Sequence, residues 1–343
     1  MWLITLRDLQ WRRRRFAIAV VATAVVFALA LLLSGVSTSF DNEINRTVRS
    51  FQADAWIITR GGFGPFTGPT AFPVDRVVEV RQLPGVLKAD PVAILRATTT
   101  TPSTRNVNVI GVEPGGVGAP AGQRLEHLIA VVVSSLGLRP GDSLDLNGTT
   151  FRVAAVTHGL TYFAGIPTVT ISLADAQELG FGGAKLATAI VTEGTPTRTP
   201  TGLAVLSNHD VEQDLARPVH QAKQTISLIR WLLWAVAAGI IAAMVYLSAL
   251  ERSRDFAVLK AIGVSTRSVL AGLVLQAVLL ALVSALLAVA LERAMAPASA
   301  LSVEVSTFDF LALPLVALVV GVLASLLALR RAVSVDPALA FGA

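Results

Sequence analysis

The chain has 343 residues, 53% of them apolar and only 15% charged, with a formal net charge of +5 at pH 7 and no cysteine. The missing cysteine excludes disulfides, thiolate metal sites and lipoprotein attachment. The positive balance lies in short clusters beside apolar runs, so it reads as a topology signal and forms no basic face of the kind that binds nucleic acid.

Four apolar runs, residues 16–33, 231–250, 269–291 and 310–329, approach or exceed the length needed to cross a hydrocarbon core, about 20 residues at helical rise. Backbone in lipid must satisfy its own hydrogen bonds, so each run reads as a helix. Basic residues flank them at Arg7 and Arg12 to Arg15, at Arg252, Arg254, Lys260 and Arg267, and at Arg330 and Arg331. An even number of spans puts all three groups on one side. The positive-inside rule makes that side the cytoplasm, with both termini there and the protein multi-pass in the cell (inner) membrane.

Residues 1–15 place Trp2, Leu3, Leu6 and Leu9 near one helical face, a cytoplasmic amphipathic helix with Trp2 and Trp11 at headgroup level. Residues 16–38 form the first span. Their basic start, apolar core and small residues at 34 to 37 also suit a cleaved signal peptide. The core exceeds the usual ~7–15 residues of such a signal, so a retained span is expected. Residues 39–52 carry Ile44, Val48 and Phe51 at i, i+4, i+7 among polar neighbours, a helix leaving the membrane with one apolar stripe. Residues 211–230 mirror it: Val211, Leu215, Val219, Ala222, Ile226 and Ile229 approximate a heptad seam, and Pro218 is expected to start or kink the helix. Both read as stalks lifting an outer domain, with the stripes meeting a second copy or cargo. Two ordinary amphipathic helices packed on that domain are the alternative.

Between the stalks, residues 53–210 read as an extracytoplasmic α+β domain. From 39 to 224 the charges nearly cancel, 15 basic against 16 acidic. Strands are expected at 55–59, 86–99, 106–111, 168–171 and 187–192, a helix at 75–82, and loops at 61–73 and 111–122. Asn147-Gly148 between alternating segments 143–146 and 149–156 is a tight-hairpin signal, because both residues tolerate positive φ. Ser172 with Asp175 can cap a helix ending at Gly180. Residues 194–201 are a Thr/Pro/Gly linker. Phe63, Phe66 and Phe72 in the first loop are either an exposed aromatic patch or domain packing.

The second span, 231–250, ends in ERSRDFAVLKAIG, residues 251–263. A charged, helix-forming segment at 251–268, pinned between two spans, suits transmission of force from a soluble partner. As a helix it sets Arg252, Phe256, Leu259 and Lys260 on one face, and Gly263 suits its C-terminal cap. The third span (269–291), an extracytoplasmic loop (292–309) with a strand-like piece at 301–307, the fourth span (310–329) and a cytoplasmic tail (330–343) complete the chain. The fold class is thus membrane α-helical, with four transmembrane helices and an α+β extracytoplasmic domain inserted between the first and second.

Chemistry is conspicuous by its absence. Lys88, Lys185, Lys223 and Lys260 are followed by Ala, Leu, Gln and Ala, so none completes a phosphate-binding Gly-x-x-x-x-Gly-Lys-Ser/Thr loop. His127, His158, His209 and His220 show no metal-ligand spacing, and no nucleophile elbow exists. Ionisable residues avoid the span centres, which disfavours a proton or ion relay, and Gln276 reads as helix–helix glue.

One span, a large outer domain, then three spans with ERSRDFAVLKAIG after the second resembles the MacB/FtsX-like permeases, the membrane subunits of type VII ABC transporters. The tail RRAVSVDPALAF at 330–341 and RPGDSLDLNGTTFRVAAV at 139–156 are similar to that family's C-terminal ending and outer-domain hairpin. The subgroup resembled is the short, single-module DevC-like permeases. MacB carries its ATPase in the same chain, and this chain does not.

The resemblance implies a non-catalytic subunit that binds no cofactor, ATP and Mg residing on a partner ABC ATPase present in two copies. It implies a second permease copy as homodimer, contact with membrane lipid, an extracytoplasmic adaptor or hydrolase, and no nucleic acid. The ATPase would dock on Arg252, Arg254, Asp255, Phe256, Leu259, Lys260 and Ile262. Ile44, Val48, Phe51, Val219, Ile226 and Ile229 would make the stalk, dimer or cargo contacts. The expected function is coupling of ATP hydrolysis to extracytoplasmic motions that export or extract hydrophobic or amphiphilic cargo. An FtsX-like signalling scaffold, activating a cell-wall hydrolase or sensor without transport, is the alternative.

Overall fold

The computed structural model describes residues 13–120, 122–123, 125–251, 258, 265–295 and 304–332. In chain order these form helix α1 (Arg13–Ser50), strands β1 (Ala55–Thr59) and β2 (Phe72–Pro73), helix α2 (Arg76–Arg81), and strands β3 (Lys88–Thr99), β4 (Arg105–Val112) and β5 (Ile129–Val133). Then come β6 (Ser143–Leu146), β7 (Thr149–Thr157), β8 (Thr161–Tyr162), β9 (Ile166–Ser172), helix α3 (Leu173–Phe181), β10 (Leu186–Ala187), β11 (Ala189–Glu193) and β12 (Leu203–Ser207). Helices α4 (Asn208–Glu251), α5 (Thr266–Met295) and α6 (Thr307–Ala332) close the order. Two compact units result: Met1–Ser39 with Lys223–Ala343, and Phe40–Ala222.

The first unit is helical. Within the described residues α1, α4 and α5 are each long and apolar enough to cross a membrane, and α6 contributes the shorter apolar stretch Thr307–Leu323. Its interior mixes alanines with larger side chains such as Phe27, Leu31, Ile241 and Leu280. Ala277, Ala281, Ala285 and Ala288 recur at i, i+4, i+8 and i+11 on α5 and are all buried. A Cβ added at Gly321 on α6 would come within 3.1 Å of the Ala277 carbonyl oxygen, so α5 and α6 meet at backbone contact. Without a hydrophobic drive between helices in lipid, such close approach and buried hydrogen bonds hold the bundle. The Ser248 hydroxyl donates to Gln276 Oε1 at 3.2 Å, both side chains buried. Gln276 therefore joins α4 to α5, as its place in an apolar run predicts. Large apolar side chains such as Ile18, Leu232, Leu286 and Leu311 point outward.

The second unit is a mixed sheet in the order β12-β1-β11-β3-β4-β9-β5-β7-β6, with β8 pairing β9 and a separate β10-β2 pair. Pairing is antiparallel except β4 with β9 and β5 with β7. Helix α3 packs over β3, β4 and β9. Gly111 makes this possible: a Cβ there would lie 2.2 Å from the Ala176 methyl. Ser172 caps α3, its Oγ accepting from Asp175 N at 3.1 Å, and Gly182 ends it in a left-handed conformation at φ 59°. The expected hairpin is present, with Leu146 paired to Thr149 across Asn147 (φ 49°) and Gly148 (φ 89°). Asn147 also ties the turn to β3, its Oδ1 accepting from Thr98 N at 2.9 Å and its N–H donating to Thr98 O at 3.0 Å.

Several sequence expectations need correction. β5, β8 and β12 carry no expected strand, and the loop at 61–73 ends in β2. The helix does not start at Pro218 but runs from Asn208 through it. Of the strand-like piece at 301–307, residues 304–306 form no strand and Thr307 opens α6. The amphipathic helix at the start of the chain, before residue 13, and the tail beyond residue 332 lie outside the described residues.

Candidate functional site: the anchors of the two long helices

The last turns of α1 and the first turns of α4 are embedded in the second unit. Ile44 and Val48 on α1 and Phe51 just after it are buried, and on α4 so are Val211, Leu215 and Val219. Contrary to a stripe left open for a second copy or cargo, Ile44, Val48, Phe51 and Val219 are buried within the chain itself, Phe51 against Trp56 and Phe66. Ile226 is half-buried and Ile229 is 40% exposed, so they alone of those six retain surface for another molecule.

Beside the α1 stripe sits Glu43, a buried acid. Its Oε1 accepts from the Thr161 hydroxyl at 2.8 Å, and the backbone N–H groups of Ala164 and Gly165 donate to the same carboxylate. The Thr47 hydroxyl donates to Thr161 O at 3.3 Å. Phe163 (φ 58°), Ala164 (φ 62°) and Gly165 (φ 84°) are all left-handed. Such a run turns consecutive N–H groups to one side, a concavity suited to an anion. Two non-glycine residues in this region store roughly 1–3 kcal/mol each, which the surroundings must offset. Phe163 is held by Tyr162, ring centroids 4.9 Å apart, and by the Arg96 guanidinium 4.9 Å above its face.

On α4 the equivalent acid is Asp214, also buried. Its Oδ2 accepts from Phe66 N at 2.9 Å and Thr67 N at 3.2 Å, and its Oδ1 accepts from the Thr67 hydroxyl. Gly64 lies against it so tightly that a Cβ would fall 2.0 Å from Asp214 Cγ. Six residues earlier, Asn208 Oδ1 accepts from Trp56 Nε1 and its Nδ2 donates to Ala53 O, both at 2.9 Å. An aromatic chain links the anchors. Phe51 meets Trp56 edge-on at 4.6 Å, Trp56 meets Phe66 at 5.7 Å, and Phe66 meets Tyr162 at 5.2 Å. Burial pushes the Tyr162 phenol far above its ordinary range, so it remains neutral.

Of the three loop phenylalanines, Phe66 and Phe72 are thus domain packing, and Phe63 alone is exposed. Elsewhere in this unit, buried Asp90 takes Arg81 Nη2 at 2.9 Å and Val117 N at 2.8 Å. Neighbouring Glu113 has its carboxyl pushed upward, by burial first and then by the Asp90 charge. His127 Nδ1 lies 2.5 Å from the buried Asp175, whose other oxygen is held by Ser172 and the Leu128 N–H. Among the described residues no group of three or more His, Asp or Glu side chains could hold a metal ion.

The expected docking residues Arg252, Arg254, Asp255, Phe256, Leu259, Lys260 and Ile262 lie outside the described residues. Within that segment Val258 is described and exposed. Sequence reasoning missed Glu43 and Asp214. The available signal is an acid at helical spacing from an apolar residue on each segment: Asp214 follows Val211 by three residues, and Glu43 follows Phe40 by three.

Apolar helices of bilayer length, two of them continuous with a buried anchor in a mixed-sheet unit, define a multi-pass membrane protein with a folded domain outside the spans. Residues 227–337 match the family model described as FtsX-like permease C-terminal. The chain is 42% identical over 347 residues to an uncharacterized ABC transporter permease of Mycobacterium bovis, covering 100% of this chain and 99% of that protein. It is 39% identical over 350 residues to another from Mycobacterium tuberculosis, with the same coverage. The chain belongs to the ABC transporter permeases, of the FtsX-like kind. Among solved structures it is similar to the periplasmic region of MacB from Actinobacillus actinomycetemcomitans, at TM-score 0.36 and 11% identity, covering 50% of this chain and 96% of that one. The extracellular domain of the transporter YknZ from Gram-positive bacteria scores 0.33 at 10% identity, covering 45% and 99%. At these scores neither likeness positions any residue.

Proposed function

We propose that this chain is the non-catalytic membrane subunit of a complex powered by a separate ABC ATPase that holds the ATP and Mg. In this reading the chain has four spans, both termini in the cytoplasm, and its folded domain inserted between the first and second spans on the far side. Two ATPase copies dock on the 251–268 segments of two permease copies, using Arg252, Phe256, Leu259 and Lys260. Helices α1 and α4 then relay the motion to the outer unit, where hydrophobic or amphiphilic cargo is exported or extracted. One observation supports this most: each helix runs unbroken from an apolar, bilayer-length segment to a buried acid in the outer unit, Glu43 on α1 and Asp214 on α4. A hydrogen-bonded helix with a fixed end converts displacement at one end into displacement at the other. The docking segment also falls inside the stretch matching the permease family model.

The test is Phe256→Ala in the permease–ATPase complex in lipid nanodiscs. Weakened co-purification of the ATPase, or hydrolysis that no longer responds to amphiphilic cargo, supports docking at this segment. Unchanged assembly and unchanged stimulation would overturn it.

A further inference from the structure

The helical unit contains a groove that the coupling reading does not use. A cavity of about 490 Å³ opens between α1, α4 and α6, within the size range of ligand pockets. Its walls are apolar, with Leu31, Trp231, Trp234, Leu315 and Val319 among them. Its polar groups are few: Ser34, Arg230 and Asp309. Each flanks an apolar run, Ser34 following 16–33, Arg230 preceding 231–250 and Asp309 preceding 310–329. The polar groups therefore gather at one end of the groove, at headgroup depth.

Their charges are not spent on each other. Arg230 Nη1 donates to Ser34 Oγ at 3.3 Å, and among the described residues neither Arg230 nor Asp309 enters an ion pair. A cation and an anion thus line one apolar groove with capacity to spare. Guanidinium matches phosphate oxygens in a planar fork, and a carboxylate accepts from an ammonium group. Tryptophans at this level suit the boundary between headgroup and chain.

We propose that this groove binds a bilayer phospholipid with a zwitterionic, primary-amine headgroup, phosphatidylethanolamine, its phosphate on Arg230, its ammonium on Asp309 and an acyl chain along Leu31, Leu315 and Val319. A purely anionic lipid would satisfy Arg230 and be repelled by Asp309. A second permease copy seated on the groove is the rival occupant, and crosslinking distinguishes it from lipid. The inference goes beyond the coupling reading and stands whether or not an ATPase acts through this chain.

Trp231 and Trp234 provide the readout. The full chain, with Trp2 and Trp11 replaced by Phe, is placed in phosphatidylcholine nanodiscs doped with brominated phosphatidylethanolamine or brominated phosphatidylglycerol. The expected result is tryptophan quenching with an apparent affinity about fivefold higher for the ethanolamine lipid, the size of one modest charge pair. Asp309→Asn should erase that preference, Arg230→Gln should weaken both lipids, and Ala312→Phe, which fills the groove, should remove selective quenching while thermal unfolding is unchanged. Equal quenching by both lipids, or a preference for phosphatidylglycerol, overturns the proposal. So does a preference that survives Asp309→Asn, or disulfide crosslinking between copies through Leu315→Cys, which would show a second chain seated on the groove.

Discussion

Glu43 and Thr161, 118 residues apart, are joined by a 2.8 Å hydrogen bond from the threonine hydroxyl to a carboxylate on the same helix that supplies an apolar span. Glu43→Ala leaves that half-buried hydroxyl and the N–H groups of the exposed Ala164 and Gly165 without their carboxylate acceptor. The expected loss is about 0.5–1.5 kcal/mol in the unfolding of the mixed-sheet unit, since water can reach part of the site. Glu43→Gln, which keeps one acceptor oxygen, should lose less. Thermal unfolding of the full chain in nanodiscs orders the three proteins, and a wild-type-like Glu43→Ala would remove Glu43 as an anchor.

Gly64 and Asp214 make a second pair with a distinctive signature. Gly64→Ala drives a methyl into the Asp214 carboxylate and should destabilise by about 2 kcal/mol or more, beyond the usual surface effect. Asp214→Ala alone should be similarly harmful, because the Phe66 and Thr67 N–H groups lose their acceptor. Combined, the two should be less than additive, since the shorter side chain makes room for the new methyl. Strict additivity would mean the contact is not what constrains this loop.

The acid–base behaviour of the mixed-sheet unit should carry the mark of Glu113. Burial and the Asp90 charge raise its folded-state pKa above the ordinary value of 4.5, so the folded form holds its proton more tightly than the unfolded form. Its contribution is therefore most favourable below pH 4.5 and is lost as pH rises through the raised folded value. Glu113→Gln should flatten the unfolding profile between pH 4.5 and neutrality and leave the protein at least as stable at pH 7. A slope that persists unchanged in the variant would assign it to another group.

The natural absence of cysteine makes crosslinking unambiguous. A single Ile229→Cys, on exposed surface of α4, should form a disulfide between two permease copies in the assembled complex, with a yield that changes on ATP binding. Ile44→Cys, being buried in its own chain, should not react. Crosslinking at residue 44 with none at 229 would reverse the interface assignment.

The sequence made some of this legible and hid the rest for physical reasons. Spans and the Asn147-Gly148 hairpin follow from composition and local backbone chemistry, which act within a few residues. The strand at 129–133 escaped because a short run of Ile, Ala and Val shows no alternation, and only its pairing with Arg152–Thr157 and with β9 declares it. The apolar stripes of α1 and α4 were legible as stripes. What covers them was not, because Glu43 and Asp214 find their partners 118 and 147–148 residues away. A heptad-like spacing looks the same whether its face meets a second chain or its own domain, and burial decided for the domain at Ile44, Val48, Phe51 and Val219.

Pro218 lies one turn beyond Asp214 inside α4, and α1 contains no proline. Lacking an N–H, Pro218 leaves the Asp214 carbonyl without its helical donor, and its ring crowds the preceding turn. The two long helices consequently differ beside their anchors. Every residue of α1 carries a backbone N–H to its end, whereas α4 is one hydrogen bond short at the turn that holds its acid, so bending is expected first in α4, next to Asp214.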